Sequence, residues 1–306
     1  MLKILREVDL RDKTTFGIGG KAREYARVGE ENGVFEAFEY AREKDREIFV
    51  LGGGSNVVFP DGRYEGLVVK NEIGGIEYNG MGVIVGSGSA LGDLVRGASV
   101  KGMAGIEALT GIPGTVGGAI RGNAGAYGCE TGDKLVSVKV FDGKKMRRVG
   151  VQGCGFGYRE SVFKRKGWMI VEAEFRFEKG DKRKLEKRIK EIKAMRERKY
   201  PAGLRCPGSF FKNVEVSSLS EEQRSRISVE MIMYGKIPAG CLLERVGMKG
   251  YTIGGLKIAD YHANLIINTG GGKEEDVCKL MEVCTKRVEE KFGIKLEAEV
   301  EIVMKR

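Results

Sequence analysis

Long apolar runs are missing from this chain of 306 residues. None approaches the ~18 residues that a membrane-spanning helix needs. The opening residues, MLKILREVDLRDK, turn charged at Lys3 and lack the apolar centre of a secretory signal. Histidine is nearly absent: with His262 alone, any catalytic triad that includes histidine has to pass through that one residue. The six cysteines, Cys129, Cys154, Cys206, Cys241, Cys278 and Cys284, show no CxxC spacing. That argues against a zinc site, and in a chain too large to need staples they read as reduced thiols of a cytoplasmic protein. Nucleotide fingerprints are missing too, since no GxGxxG opens a helix and no GxxxxGK[ST] occurs. A Rossmann domain and a P-loop NTPase are therefore not expected. Internal repeats and low-complexity segments are also absent.

Glycine, by contrast, is abundant: 47 residues, about twice the usual share. With a length that allows two or three domains, each with its own core, this points to an α/β or α+β enzyme rich in ligand loops. The densest stretch, Gly111 to Gly128, reads GIPGTVGGAIRGNAGAYG. Such a run is expected to be neither a packed helix nor an ordinary core strand, but backbone that approaches a ligand, with N–H groups free to turn toward an anion such as a pyrophosphate. Ile112, Val116, Ile120 and Tyr127 are spaced through it as anchors, which argues against a flexible linker. A second cluster, LGGGSN at Leu51 to Asn56, follows the apolar run from Ile48. A buried strand ending in glycines is the usual setting of a phosphate-contacting loop.

The formal net charge of +10 is concentrated in one place. Lys179 to Lys199 holds eleven Lys and Arg against four acids, while Leu185, Ile189, Ile192 and Met195 recur at helical spacing. This reads as an amphipathic helix with a solvated basic face; a nucleic-acid footprint is the weaker reading, because no stacking aromatics interleave with the charges.

Further elements follow from periodicity. Helices are expected at Glu31 to Glu43, with Val34, Phe35, Phe38 and Ala41 inward, and around Leu91, Leu94, Val95 and Ala98. Strands are expected at Arg23 to Val28, Leu135 to Phe141 and Met169 to Phe177, the last with a clean alternation of apolar and charged residues. Ser220 and Gln223 have the spacing of a capping box. A long helix carries Val277, Leu280, Met281, Cys284 and Val288 on one face. The chain closes on a strand with Leu296, Ala298, Val300 and Ile302 inward and Glu297, Glu299 and Glu301 outward.

Taken in order, TTFGIGGKA (Thr14 to Ala22), LGGGSN, GIPGTVGGA with NAGAYG, FGYRES (Phe156 to Ser161), GSFFKN (Gly208 to Asn213), HANLIIN (His262 to Asn268) and LEAEV (Leu296 to Val300) resemble the UDP-N-acetylenolpyruvoylglucosamine reductase family. The resemblance runs nearly end to end and is to the shorter subtype, which lacks an added substrate-capping loop. It implies an α+β chain: a vanillyl-alcohol-oxidase-type (PCMH-type) FAD-binding fold of two subdomains plus an α+β substrate-binding domain. Residues 1–63 would form the first subdomain, completed by the C-terminal strand 293–306; residues 64–200 would form the second, and residues 201–292 would bind substrate.

The same resemblance assigns roles. Gly52, Gly53, Gly54, Ser55 and Asn56, with Gly111, Ile112, Pro113, Gly114, Thr115, Gly117 and Gly118, would hold the FAD pyrophosphate and ribityl. Asn123, Ala124 and Gly125 would lie near the isoalloxazine. NADPH is the implied reductant, and the implied reaction reduces the enolpyruvyl ether of UDP-N-acetylglucosamine to UDP-N-acetylmuramate for peptidoglycan. Ser209 falls at the family's proton-donor position, Arg159 at the arginine that pairs with the substrate carboxylate, and Glu299 at the glutamate that polarises the enolic system. Tyr158, Lys212 and Asn213 would bind substrate. The implied partners are small molecules only, with no metal, nucleic acid or membrane insertion, for a cytoplasmic monomer. A related FAD-dependent sugar or alcohol oxidoreductase is the alternative, against which the pair GSFFKN and LEAEV argues.

Overall fold

The computed structural model describes residues 2–304. Met1, Lys305 and Arg306, at the ends of the expected segments 1–63 and 293–306, lie outside the described residues. The described chain forms two compact units, one of residues 2–8, 22–54 and 65–202, the other of residues 9–21, 55–64 and 203–304.

The first unit holds two sheets. In the smaller, strands Ile4–Asp9, Lys21–Val28, Tyr64–Asn71 and Ile48–Leu51 lie side by side in that order. Ile48–Leu51 runs parallel to Tyr64–Asn71, with Leu51 opposite Lys70, so its carboxyl end delivers the chain directly into Gly52. The helix Glu31–Glu43 joins Lys21–Val28 to Ile48–Leu51. It buries Val34, Ala37 and Ala41, whereas Phe35 stays 41% exposed, contrary to expectation. Phe35 sits at the edge of the apolar stripe, where its ring meets Phe141 edge-on at 4.8 Å.

The larger sheet is antiparallel, in the order Met146–Gly150, Leu135–Phe141, Met169–Arg176, Gly82–Gly86 and Ile76–Asn79. Val171, Ala173, Phe175 and Phe177 are buried, as the period of two requires. Three helices share the core next to it. Leu91–Val100 contributes Leu91, Leu94, Val95 and Ala98, and Lys182–Lys199 packs Ile189 against that core and buries Leu185 and Ile192. Met195, expected inward, is 40% exposed. The inward stripe of 185, 189 and 192 continues at 196, not 195, when stepped by four, three and four residues.

The third of these helices, Val116–Arg121, corrects the expectation that the glycine run holds no packed helix. It buries Val116, Gly117, Ala119 and Ile120. Two adjacent glycines cost helix propensity of about 1 kcal/mol each, and they are offset by burial of Val116 and Ile120 and by a Thr115 cap, whose Oγ1 accepts from the N–H of Gly118 at 3.2 Å.

In the second unit the strands Leu256–Ala259 and His262–Asn268 form a hairpin packed on helices Ala239–Arg245 and Glu274–Phe292. The core gathers Phe210, Phe211, Leu242, Leu243, Ile258, Ile266, Leu280, Cys284 and Val288. Ser220 and Gln223 form the reciprocal capping box expected of them. The closing strand is shorter than expected: only Glu301–Ile302 is regular, paired in parallel with Val57–Val58. Residues 297–299 instead lie against the Gly208–Asn213 segment, with Leu296 and Val300 buried and Glu297 outward. Among the described residues no helix is long and apolar enough to cross a membrane.

Candidate functional site

In the first unit the two glycine clusters meet. A Cβ placed on Gly53 would lie 2.6 Å from Gly114 Cα, and one on Gly52 would lie 2.7 Å from Thr115 Oγ1. No side chain fits there, so the loop after Ile48–Leu51 and the start of Val116–Arg121 touch backbone to backbone. Gly54, Gly111 and Gly114 have φ of +67°, +74° and +113°, conformations that suit only glycine at low cost. The donors of the short helix are used within the chain: Val116 N–H goes to Ser89 O at 2.9 Å and Gly117 N–H to Ser87 O at 2.8 Å. Gly117 thus serves close packing against Ser87, where a Cβ would find another at 3.0 Å.

Further along the same unit, Asn123, Ala124, Gly125, Tyr158 and Arg159 come together. Gly157 and Glu160 pair across a tight turn that carries Tyr158 and Arg159 at its tip. Arg159 has φ +58° and Asn123 φ +40°, left-handed values that cost an ordinary side chain free energy and mark a site held by its surroundings. The holding groups are specific. Arg159 Nη2 donates to Gly125 O at 2.8 Å, and Lys164 Nζ donates to Arg159 O at 2.6 Å. Asn123 is 1% exposed; its Nδ2 donates to Glu130 Oε2 at 2.6 Å and Gly157 O at 3.0 Å, while its Oδ1 accepts from Gly132 N–H at 3.0 Å. Gly125 must be glycine, because a Cβ would lie 2.7 Å from Cys129 O. Burial, with Asp133 and Glu107 nearby, pushes the Cys129 thiol up to about 11. It is therefore a neutral donor at pH 7, bonded to Gly105 O at 3.1 Å, and not a nucleophile.

The second unit holds Ser55, Asn56, Ser209, Lys212, Asn213 and Glu299. The segment from Ser209 is gripped on both sides. Ser209 bridges to Leu265, Phe210 N–H donates to Asn264 O at 3.0 Å, and the Asn264 amide closes a two-way bond with Phe211 N–H and O at 2.8 Å each. On the other side Glu299 N–H donates to Phe210 O and Lys212 N–H to Glu297 O, both at 2.8 Å. Asn56 Nδ2 donates to Glu299 O at 2.9 Å, which ties the end of LGGGSN to the same frame. Lys212 is nearly buried and pairs with Glu297 at 2.5 Å, and Asn213 Oδ1 accepts from Ala239 N–H at 3.1 Å, at the start of a helix.

Comparison with known proteins covers nearly all of the chain. The family model for the UDP-N-acetylenolpyruvoylglucosamine reductase C-terminal domain matches residues 200–303, and that for an FAD binding domain matches residues 22–145. The chain is 40% identical over 291 residues to a UDP-N-acetylenolpyruvoylglucosamine reductase of Solibacter usitatus, covering 95% of this chain and 93% of that one. It belongs to the UDP-N-acetylenolpyruvoylglucosamine reductase family. A family protein of Fervidobacterium nodosum is 34% identical over 296 residues, covering 96% of this chain and 90% of its own. The crystal structure of the UDP-N-acetylenolpyruvylglucosamine reductase of Thermus caldophilus matches with a TM-score of 0.76 at 28% identity over 99% of each chain. The α+β class and the vanillyl-alcohol-oxidase type of FAD-binding fold stand as expected.

What the motifs missed are the polar residues that hold the family's positions. Asn264 is a buried amide between Ala263 and Leu265, and its polarity among those apolar neighbours was its signal. Glu297 read as one more outward carboxylate of an alternating strand, and nothing local marks it as the partner of Lys212. Arg196 was counted among the solvated charges of the basic helix, yet it lies against Gly111 and stacks over Tyr200 at 5.1 Å. Its place in the inward stripe was the available signal.

Proposed function

We propose that this chain reduces the enolpyruvyl ether of UDP-N-acetylglucosamine to UDP-N-acetylmuramate, with FAD as its resident cofactor and NADPH as reductant, as a cytoplasmic monomer acting on small molecules in peptidoglycan precursor synthesis. The family membership and the FAD-binding match support the activity and the cofactor. The residues fit such a group: Gly52 and Gly53 meet Gly114 and Thr115 in direct contact, which sets the two glycine loops side by side, so a dinucleotide bound along one would lie beside the other. We extend the reading to the chain's organisation, with residues 1–63 and 293–306 and residues 64–200 serving the cofactor and residues 201–292 the substrate. Pairing of Glu301–Ile302 with Val57–Val58 supports the return of the C-terminus to the first segment.

When bound, FAD supplies the hydride, taken from NADPH, for the terminal carbon of the enolpyruvyl double bond. The chain's own residues do the rest. The Arg159 guanidinium grips the substrate carboxylate through its fork and keeps its charge at any working pH. Glu299 shares a proton with the developing enolic oxygen. The Ser209 hydroxyl gives its proton to the adjacent carbon; a serine is a weak acid, so this works only toward a strongly basic carbon held within hydrogen-bond reach. Lys212 and Asn213 serve the diphosphate and sugar, with Tyr158 beside Arg159. The observation that carries the reading is the backbone frame that holds Ser209 through Asn213 between residues 264–265 and 297–299, since proton transfer demands this fixed geometry.

An anaerobic titration tests it. The yellow protein is expected to bleach with NADPH and regain colour with the enolpyruvyl substrate, while Ser209→Ala bleaches normally and regains colour orders of magnitude more slowly. A bleached flavin that the substrate fails to restore would favour the related sugar or alcohol oxidoreductase. Equal slowing of both half-reactions in Ser209→Ala would remove the proton-donor role.

A further inference from the structure

Arg196 stands where an apolar residue belongs. It follows Leu185, Ile189 and Ile192 on the inward face of the helix Lys182–Lys199. Elsewhere on that helix, the ion pairs of Arg188 with Glu191 and Lys193 with Glu197 lie in solvent. Arg196 has no carboxylate partner among the described residues, and its Nε is buried without a hydrogen-bond acceptor. Leaving a charged donor buried and unsatisfied costs ~1–3 kcal/mol or more, which a folded chain rarely tolerates without a use.

Its surroundings say what that use is. The stem lies on the first residue of the glycine run: a Cβ on Gly111 would come within 3.2 Å of both Cδ and Nε. Tyr200 stacks on the guanidinium, and Tyr127, 49% exposed and at φ +51°, faces the same charge. Burial lowers the guanidinium's pKa, and the two tyrosine hydroxyls oppose that shift, yet an arginine remains charged at physiological pH. The neighbours therefore offer aromatic faces and a bare backbone but no negative charge. The buried Nε–H finds no acceptor among the described residues, which leaves it to a group from outside them.

We propose that Arg196 binds an anionic oxygen of the flavin nucleotide, either on its diphosphate or at the edge of the isoalloxazine that gains negative charge on reduction. This rests on the reading that FAD lies along Gly111 to Gly118. It gives the basic helix a role in the cofactor site that its solvated face does not have.

The test compares wild-type holoenzyme with Arg196→Gln, which keeps most of the packing stem, Arg196→Lys, which keeps the charge, and Lys193→Met as a control on the exposed face of the same helix. FAD affinity is measured by reconstitution, ADP affinity by competition, and the midpoint potential by equilibration with a reference dye. Arg196→Gln is expected to weaken FAD at least tenfold, Arg196→Lys to recover part of the loss, and Lys193→Met to match wild type. Equal weakening of oxidised FAD, reduced FAD and ADP identifies the diphosphate. Weakening confined to the reduced cofactor identifies the ring, since a tenfold difference lowers a two-electron potential by about 30 mV. Arg196→Gln that binds FAD and ADP within twofold of wild type at an unchanged potential, even if less heat-stable, overturns the proposal and leaves Arg196 a packing residue. Wild-type protein that takes up no FAD overturns the reading beneath it.

Discussion

Asn123 is the residue through which the Arg159 turn is held, and its removal gives a prediction whose size follows from its bonds. The side chain joins Gly132 N–H, Gly157 O and the Glu130 carboxylate. A neutral hydrogen bond contributes about 1 kcal/mol net and a charged one about 2. Glu130 is half-buried and regains water once released, which trims the charged bond. Asn123→Ala also loses the tolerance of asparagine for φ +40°, a few tenths of a kcal/mol more. The total is about 3–4 kcal/mol. Urea unfolding of the holoenzyme is expected to show that loss with an unchanged m value. Because Arg159 is moored to Gly125, which pairs with Glu130, the variant is also expected to slow recovery of flavin colour by the enolpyruvyl substrate far more than bleaching by NADPH. A stability loss below ~1 kcal/mol, or equal slowing of both half-reactions, would refute the positioning role.

Asn123→Asp sharpens the same test by adding a pH dependence. The change replaces a donor with a carboxylate oxygen where the nearest Glu130 oxygen is 2.6 Å away. Burial and like charge both raise the introduced carboxyl above its ordinary value of about 3.9. Its folded pKa then exceeds its unfolded one, so the folded variant binds more protons and its stability falls as pH rises from about 4 toward neutrality. The gap to wild type is expected to widen over that range. A gap constant with pH would mean that the carboxylate escapes to solvent and that the site is not closed around Asn123.

Two further predictions concern stability. Gly53→Ala forces a methyl against Gly114 Cα at 2.6 Å and is expected to cost about 1–3 kcal/mol and loosen FAD, whereas at Gly118 the nearest atom is Thr115 Oγ1 at 3.5 Å, so Gly118→Ala is expected to be neutral or stabilising in thermal melts; the reverse order would refute the backbone contact. Asp142 is held below the usual carboxylate range by the Lys145 N–H, the Arg147 guanidinium and the Lys144 N–H. A depressed folded pKa gives stability that is present above about pH 4 and is lost as pH falls through the folded value. Asp142→Asn is therefore expected to be less stable than wild type at pH 7, with the difference narrowing as pH falls below about 4 in urea titrations.

Much of this molecule was legible in its sequence because periodicity records burial. The alternation from Met169 and the helical spacing from Leu91 are imprints of one buried face, and both elements form as read. The errors have the same origin. Phe35 and Met195 are apolar residues at the edge of a stripe, where pattern alone does not separate inside from margin, and the helix within the glycine run has only two large apolar side chains to bury, Val116 and Ile120. Motifs named the side chains of the candidate site but not what holds them. Asn264 reaches Phe211 across 53 positions and Lys212 reaches Glu297 across 85, and a bond between distant residues leaves no period in either neighbourhood. Only where a support breaks a pattern does it become visible. Asn264 does so between the apolar Ala263 and Leu265, and Arg196 does so in an apolar stripe. A polar residue in an inward slot costs stability unless something answers it, so such a break marks where a partner must be sought. For Asn264 the partner is the backbone of Phe211. For Arg196 the described residues offer none, and the partner proposed for it is the ligand.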